Sequence, residues 1–180
     1  MAAILGMEDD AIKRVCADAA QGEVVQAVNF NAPGQVVIAG HSTAVDRAIE
    51  LAKKAGARKA MPLAVSVPCH SDLMRAASEE LAAKLNATQF NNPVIPVVNN
   101  IDARIELDPG KIREKLIVQL YSPVLWVDSV KTMAEQGITR MVECGPGKVL
   151  SGMNKRIVRE LEVFNVQDKA SLDATLSALA

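Results

Sequence analysis

Two strand-like runs near the N-terminus, residues 24–31 and 35–40, are joined by only three residues, Ala32-Pro33-Gly34. A link this short cannot contain the crossover that parallel strands require, so the two strands are expected to pair antiparallel. The first third of the chain is therefore limited to folds in which the second strand returns directly beside the first.

Hydrophobic periodicity places further elements on both sides of this hairpin. The predicted elements are a strand at 1–7, a helix at 9–22, strands at 24–31 and 35–40, a helix at 42–56 and an extended run at 58–68. The resulting order, β-α-β-β-α-β, is that of a ferredoxin-like domain built from two split β-α-β units. We therefore predict a ferredoxin-like small subdomain over residues 1–67.

The pattern changes after Pro68, where helices become more frequent and the short strands are separated by them. The predicted elements are a helix at 70–87, a strand around Ile95–Val98, helices near 110–120 and 124–136, a strand at 139–144, a helix at 148–161, a strand at 162–166 and a helix at 168–180. Residues 68–180 therefore differ in organisation from the first 67 residues.

Composition excludes several classes of function. The formal net charge is −1, which argues against nucleic acid and against an anionic membrane surface as partners. No apolar run reaches the ~20 residues that a membrane-spanning helix needs. The three cysteines are widely spaced and odd in number, so no disulfide framework is expected and a reducing cytoplasm fits best.

The stretch Gly40-His41-Ser42-Thr43-Ala44 is nearly a serine nucleophile elbow, G-x-S-x-G. An elbow needs a central parallel strand before it, and the short link described above makes that strand antiparallel. Ser before an amphipathic helix is also a favoured N-cap. We therefore interpret Ser42 as a helix cap, and a small serine hydrolase that uses Ser42 and His70 is a minor alternative.

The other candidates for chemistry are few. His70 lies where an extended run meets a helix, a position from which a histidine ring can project into a cleft. A Cys69–His70 nucleophile pair is not expected, because neighbouring side chains point in different directions. No spacing of Cys and His suits zinc, and the turn in ECGPGKVLSG lacks the first glycine of a phosphate-binding loop. No metal or cofactor is predicted.

Five ordered motifs make a resemblance specific: VNFNAPGQVVIAG, PLAVSVPCHSDLM, PVVNNID, QLYSPVLW and ECGPGKVLSGMNKRI. Together they resemble the C-terminal part of bacterial malonyl-CoA:acyl carrier protein transacylases, enzymes of type II fatty-acid synthesis. The resemblance covers essentially the whole chain. It implies a ferredoxin-like small subdomain over residues 1–67, followed over residues 68–180 by the C-terminal portion of an α/β-hydrolase-like acyltransferase subdomain.

The resemblance also implies roles for individual residues. His70 in VPCHS matches the family's catalytic histidine, and Gln119 in QLYSP matches the residue whose backbone carbonyl orients that ring. Asn29 and Asn31 match residues at the mouth of the channel for the pantetheine arm. Asn99 and Asn100 are expected to support the site. Cys69 stands where many relatives have serine.

The implied reaction moves a malonyl group from coenzyme A to a serine and then to the phosphopantetheine thiol of acyl carrier protein. The family's G-H-S-x-G serine, oxyanion loop and malonyl-binding arginine are expected upstream of Met1, so this chain alone is expected to be inactive unless an N-terminal half complements it. The alternative is a non-catalytic module that docks acidic carrier proteins or a partner subunit through Arg58 and Lys59.

Overall fold

A computed structural model of the chain describes all 180 residues, Met1–Ala180. The strands are β1 Ala2–Leu5, β2 Val25–Ala32, β3 Gln35–Gly40, β4 Lys59–Pro62, β5 Arg140–Cys144 and β6 Glu162–Val166. The helices are α1 Asp9–Ala20, α2 Ser42–Lys54, α3 Arg75–Asn86, α4 Pro109–Gln119, α5 Trp126–Glu135, α6 Val149–Ile157 and α7 Lys169–Leu179, with a short 3-10 helix at Asp72–Met74. No helix combines the length and the apolar character needed to cross a bilayer.

The chain separates into two compact units, Met1–Ser129 and Val130–Ala180. The first unit contains a four-stranded sheet in the order β2-β3-β1-β4, with every neighbouring pair antiparallel. This is the ferredoxin-like arrangement, so the predicted fold of the first subdomain is confirmed. The subdomain boundary at residues 67–68 stays a prediction.

The core of the sheet lies between its strands and the two helices α1 and α2. Ile4 and Ile38 project from the two central strands and are fully buried, and Ile12 and Ile49 meet them from the helices. The side chain of Arg47 closes the C-terminal end of α1, where its guanidinium donates to the carbonyls of Ala19 and Ala20. These contacts account for the helix positions predicted from periodicity.

The second unit contains a parallel pair of strands, β5 and β6, joined through the crossover helix α6. Asp168 is the N-cap of α7 and forms a capping box with Ser171. The Asp168 carboxylate accepts from the Ser171 amide, and the Ser171 hydroxyl accepts from the Asp168 amide. Strand β6 lies at 162–166 as predicted. The β-α-β unit is the local building block of an α/β sheet.

Two expectations about local structure are wrong. The strand predicted at Ile95–Val98 is absent, and only an isolated bridge joins Val98 to Ile105. Pro96 lies inside this run and removes one of the backbone donors that a strand there would use. The helix predicted from residue 70 begins with the 3-10 turn at Asp72, because His70 itself has a left-handed backbone.

The buried apolar core is unevenly distributed along the chain. After Leu63 only Ala103, Val130 and Leu161 are buried apolar residues, although this part of the chain contains most of the helices. Large apolar side chains there are exposed instead, including Val94 at 98% and Ile95 at 75%. Exposed aliphatic side chains of this kind are typical of surfaces that another polypeptide segment covers.

Candidate active site

His70 lies between the extended run that follows β4 and the 3-10 helix that precedes α3. Its backbone has φ 66°, a left-handed conformation that is rare for residues other than glycine. Such a residue costs about 1–3 kcal/mol and persists only where its surroundings hold it. Strained residues concentrate at functional sites. The backbone conformation of His70 therefore marks it as a candidate functional residue, independently of the sequence resemblance.

The ring and the backbone of His70 are both held by the C-terminal end of α4. Its Nδ1 lies 3.0 Å from the backbone carbonyl oxygen of Gln119, and its amide donates to the carbonyl of Leu120 at 2.9 Å. A carbonyl oxygen only accepts hydrogen bonds, so Nδ1 must carry the proton. In the neutral ring Nε2 is then unprotonated, which is the form that a general base requires.

Buried hydroxyl groups fix the segments on either side of this contact. Ser71 is completely buried, and its hydroxyl donates to the carbonyl of Pro68 at 2.7 Å. Ser78 on α3 is also buried, and its hydroxyl donates to the carbonyl of Ile117 on α4 at 2.6 Å. The Ser71 bond closes the turn that contains His70, and the Ser78 bond joins α3 to α4. Because both hydroxyls are satisfied internally, neither is a free nucleophile.

The two asparagines implied by the resemblance, Asn29 and Asn31, lie on β2. The chain passes from the end of α4 to Val124, which bonds to β2 on both sides of Asn29: Val124 donates to the carbonyl of Val28 and accepts from the amide of Phe30. Both asparagine side chains are partly exposed, and neither has a hydrogen-bond partner. They are therefore available to bind a ligand, and their role as channel residues stays a prediction.

Asn99 and Asn100 lie beside a cavity of about 360 Å³, which Gln119 also lines together with Phe90, Val98 and Leu116. The Asn99 side chain accepts from the amide of Ile101 at 2.9 Å, and the backbone carbonyl of Asn100 accepts from Leu125. The side-chain oxygen of Asn100 is buried without a partner. These asparagines therefore stabilise the loop next to Gln119, and their supporting role in the site stays a prediction.

Arg58 and Lys59 are exposed where β4 begins. Neither side chain has an ion-pair partner, whereas nearby Lys53 pairs with Glu50 at 2.7 Å. Lys54, at the end of α2, is likewise exposed and makes no ion pair. The three cations form a basic surface where α2 ends and β4 begins.

The structure corrects the interpretation of Ser42. Ser42 is the first residue of α2 and His41 occupies the N-cap position, with no side-chain cap bond. The Ser42 side chain is exposed and has no hydrogen-bond partner. Strand β3 pairs antiparallel with both of its neighbours, so the nucleophile-elbow topology is absent.

Replacing Ser42 with alanine is therefore expected to change the free energy of unfolding by less than about 0.5 kcal/mol. Urea denaturation of wild type and Ser42→Ala provides the measurement. Thr43→Ala is the matched control: the Thr43 hydroxyl donates to Glu23 at 2.7 Å, so its removal is expected to destabilise the protein more. A larger loss of stability in Ser42→Ala than in Thr43→Ala would contradict this assignment.

Two other groups that could be reactive or bind an anion are blocked by their surroundings. Burial raises the pKa of the Cys16 thiol to about 12, so its nucleophilic thiolate is scarce at neutral pH. The turn after β5 offers no free helix N-terminus to a phosphate, because Glu143 accepts from the amides of Leu150 and Ser151. The Ser151 hydroxyl also donates to Glu143 and, as the largest contribution, lowers the pKa of that carboxyl.

Comparison with known proteins assigns the chain that contains His70 to a protein family. The sequence pattern of the acyl transferase domain matches residues 2–174. The chain belongs to this acyl transferase family. The malonyl CoA-acyl carrier protein transacylase of Haemophilus influenzae is 52% identical over 174 residues, which cover 97% of this chain and 56% of that relative.

Solved structures of acyl transferases share the fold as well. An acyl carrier protein S-malonyltransferase from Vibrio cholerae aligns with a TM-score of 0.94 at 58% identity, covering 97% of this chain and 57% of that one. A malonyl-transacylase in complex with its type II PKS acyl carrier protein aligns at 0.96 and 48% identity, covering 98% and 57%. The chain thus spans little more than half the length of these relatives.

One contact beside His70, between Gln26 and Asp72, was not predicted from the sequence motifs. Gln26 on β2 bonds to Asp72, two residues after the histidine. The two residues are 46 positions apart, and neither belongs to a local pattern that suggests a partner. The β-α-β-β-α-β order alone does not specify the loop geometry that brings them together.

Proposed function

We propose that this chain is the histidine-bearing part of a malonyl-CoA:acyl carrier protein transacylase of fatty-acid synthesis. The observation that carries the proposal is the hydrogen bond between His70 Nδ1 and the Gln119 carbonyl, at 3.0 Å. It leaves Nε2 as the free acceptor on a ring whose backbone is also held, by Leu120. A held imidazole with one free nitrogen is the general base of acyl-transfer enzymes.

The chemistry follows from that ring. Nε2 takes the proton from a serine hydroxyl as the serine oxygen bonds to the malonyl carbonyl carbon, and the C–S bond of the thioester breaks. The imidazolium then returns its proton to the sulfur of the leaving coenzyme A. In the second half-reaction the same nitrogen removes the proton of the phosphopantetheine thiol as the sulfur bonds to the carbonyl carbon of the acyl-serine. The ester C–O bond then breaks, and the imidazolium returns the proton to the serine oxygen. Gln119 stabilises the charged ring in both halves, because its carbonyl accepts from the Nδ1 proton.

The serine is expected from a polypeptide that matches the part of the relatives not covered here. The exposed aliphatic side chains after Leu63, such as Val94 and Ile95, support a second segment that covers this surface. Asn29 and Asn31, both without partners, are proposed to bind the amide-containing pantetheine arm as it enters the site.

The test is acyl-enzyme formation with radiolabelled malonyl-CoA. The chain alone is expected to retain no label, and the chain mixed with the unmatched N-terminal remainder of the Haemophilus influenzae relative is expected to label that remainder. Transfer of label onward to acyl carrier protein completes the reaction. Stable label on this chain alone, lost in Ser42→Ala, would contradict the proposal and favour the small serine hydrolase.

A second candidate function is carrier-protein docking without catalysis, favoured by the unpaired cations Arg58, Lys59 and Lys54. Lys59→Glu is expected to weaken the binding of an acidic carrier protein about three- to tenfold at low salt, and the difference is expected to shrink as salt screens the charges. Fluorescence titration at two salt concentrations measures this effect. Lys84→Glu, the same charge change on exposed α3, is the control, and equal weakening by both variants would contradict docking at this surface.

We place the reaction in the cytoplasm. All three cysteines, Cys16, Cys69 and Cys144, are free thiols in the structure. Unpaired cysteines are usual in reducing compartments, where acyl carrier protein thiols would also remain reactive.

A further inference from the structure

Gln26 makes a two-point contact with Asp72. The side-chain amide of Gln26 donates to the Asp72 carboxylate at 2.7 Å, and its carbonyl oxygen accepts from the Asp72 backbone amide at 2.8 Å. Gln26 lies on β2, so the contact joins the sheet to the turn that contains His70. A paired contact of this kind fixes both the position and the direction of the backbone at residue 72.

Arg75 extends the contact toward the segment that holds the histidine ring. Its guanidinium bonds to the Asp72 carboxylate at 2.6 and 2.8 Å and lies over the ring of Tyr121, 4.2 Å from the centroid. Tyr121 directly follows Gln119 and Leu120, the two residues whose carbonyls hold His70. The Arg75 guanidinium thus links Asp72, two residues after His70, to Tyr121, which follows the two residues whose carbonyls accept from His70.

The histidine needs this support because its backbone is in the left-handed region, at φ 66°. A non-glycine residue reverts to a more common conformation unless neighbouring contacts prevent it. The bond from the Ser71 hydroxyl to the Pro68 carbonyl spans residue 70 and provides one contact. On the C-terminal side the contacts of Asp72 with Gln26 and Arg75 are the side-chain contacts that restrain the chain.

We propose that Gln26 and Asp72 are positioning residues for His70. They keep residue 70 in its left-handed conformation and so keep Nδ1 on the Gln119 carbonyl, with Nε2 unprotonated. Their catalytic importance rests on the proposed role of His70 as the general base, but their effect on the ring is measurable without catalysis.

The two histidines of the chain provide an internal comparison. His41 Nδ1 accepts from the backbone amide of Val24 at 3.0 Å, so His41 must carry its neutral-state proton on Nε2. His70 must carry it on Nδ1, because its partner is a carbonyl. Long-range ¹H–¹⁵N correlation spectra of the full chain at about pH 8.5, above the ordinary histidine pKa of about 6.5, are expected to show opposite tautomers.

Gln26→Glu places a second carboxylate against Asp72 and removes the amide donor. In this variant the Nε2-protonated population of His70 is expected to rise about fivefold, the change that loss of one hydrogen bond of typical strength produces. His41 is expected to be unchanged. The double variant Gln26→Glu/Asp72→Asn restores the wild-type net charge. The introduced asparagine side-chain amide can donate to the introduced glutamate, which can also accept from the backbone amide of residue 72. The asparagine side-chain oxygen can accept from Arg75. It is expected to restore the wild-type His70 tautomer.

The proposal is overturned if Gln26→Glu leaves the His70 tautomer unchanged while the His41 signals show a folded sheet. It is also overturned if Gln26→Glu shifts the tautomer and the charge-matched double variant fails to restore it. If Gln26→Glu does not fold, Asp72→Ala replaces it, since this change removes the carboxylate but leaves the backbone amide on Gln26; an unchanged His70 there overturns the proposal. Failure of malonyl transfer in the reconstituted protein would refute the proposed function and leave these tautomers as they are.

Discussion

His70→Ala is expected to lower malonyl transfer by the reconstituted protein about 10²- to 10⁴-fold, the usual contribution of a positioned general acid–base group. The loss is expected in kcat with little change in KM, because the role proposed for the ring is proton transfer in the chemical step and not binding of the coenzyme. Initial rates of labelled malonyl transfer from coenzyme A to acyl carrier protein, with the complementing segment in excess, provide the measurement.

His41→Ala is the matched control for this prediction. His41 is the other histidine of the chain, lies at the start of α2 and bonds through its ring only to the amide of Val24. Its removal is expected to leave the transfer rate unchanged. Equal losses in the two variants would mean that histidine replacement harms folding rather than chemistry. An unchanged rate in His70→Ala would remove His70 from the reaction.

The fold of the first 62 residues could be predicted from the sequence because local rules there agree with the tertiary structure. The three-residue link before Gln35 requires an antiparallel hairpin, and the apolar spacing of α1 and α2 matches the faces that meet the sheet. Prediction failed at Ile95–Val98, where β-branched residues suggest a strand. Its isolated bridge shows that aliphatic composition without a continuous pairing partner does not make one.

The site was only partly predictable. The motif around His70 indicated the residue, and the resemblance indicated the Gln119 carbonyl, but neither the periodicity nor the spacing determines a left-handed backbone at a histidine. Contacts between distant residues, such as Gln26 with Asp72, leave no local signal in a single sequence. Ser42 shows the reverse error: its residue type favours the N-cap position, but α2 begins one residue earlier than that interpretation requires and His41 occupies the N-cap.

Gly40 is expected to be among the least replaceable residues of the sheet. A β-carbon at this position would lie 2.0 Å from the carbonyl oxygen of Val24 and 2.6 Å from the α-carbon of Val25. Both neighbours are backbone atoms, so an added methyl group can be accommodated only if the ends of β2 and β3 separate. That movement would also break the bond from the His41 amide to the Val24 carbonyl, now 2.8 Å.

Gly40→Ala is therefore expected to destabilise the first unit by about 3 kcal/mol or more, a large part of the roughly 5–15 kcal/mol typical of a domain. Urea denaturation followed at the amides of Val36 and Ile38 reports on the strands concerned. Gly152→Ala is the control: this helical glycine in α6 has no atom within 4 Å of an added β-carbon, and alanine there is expected to stabilise α6 by about 0.5–1 kcal/mol. A Gly40→Ala protein as stable as wild type would show that the two strands do not approach so closely, and would weaken the antiparallel constraint that removes Ser42 from catalysis.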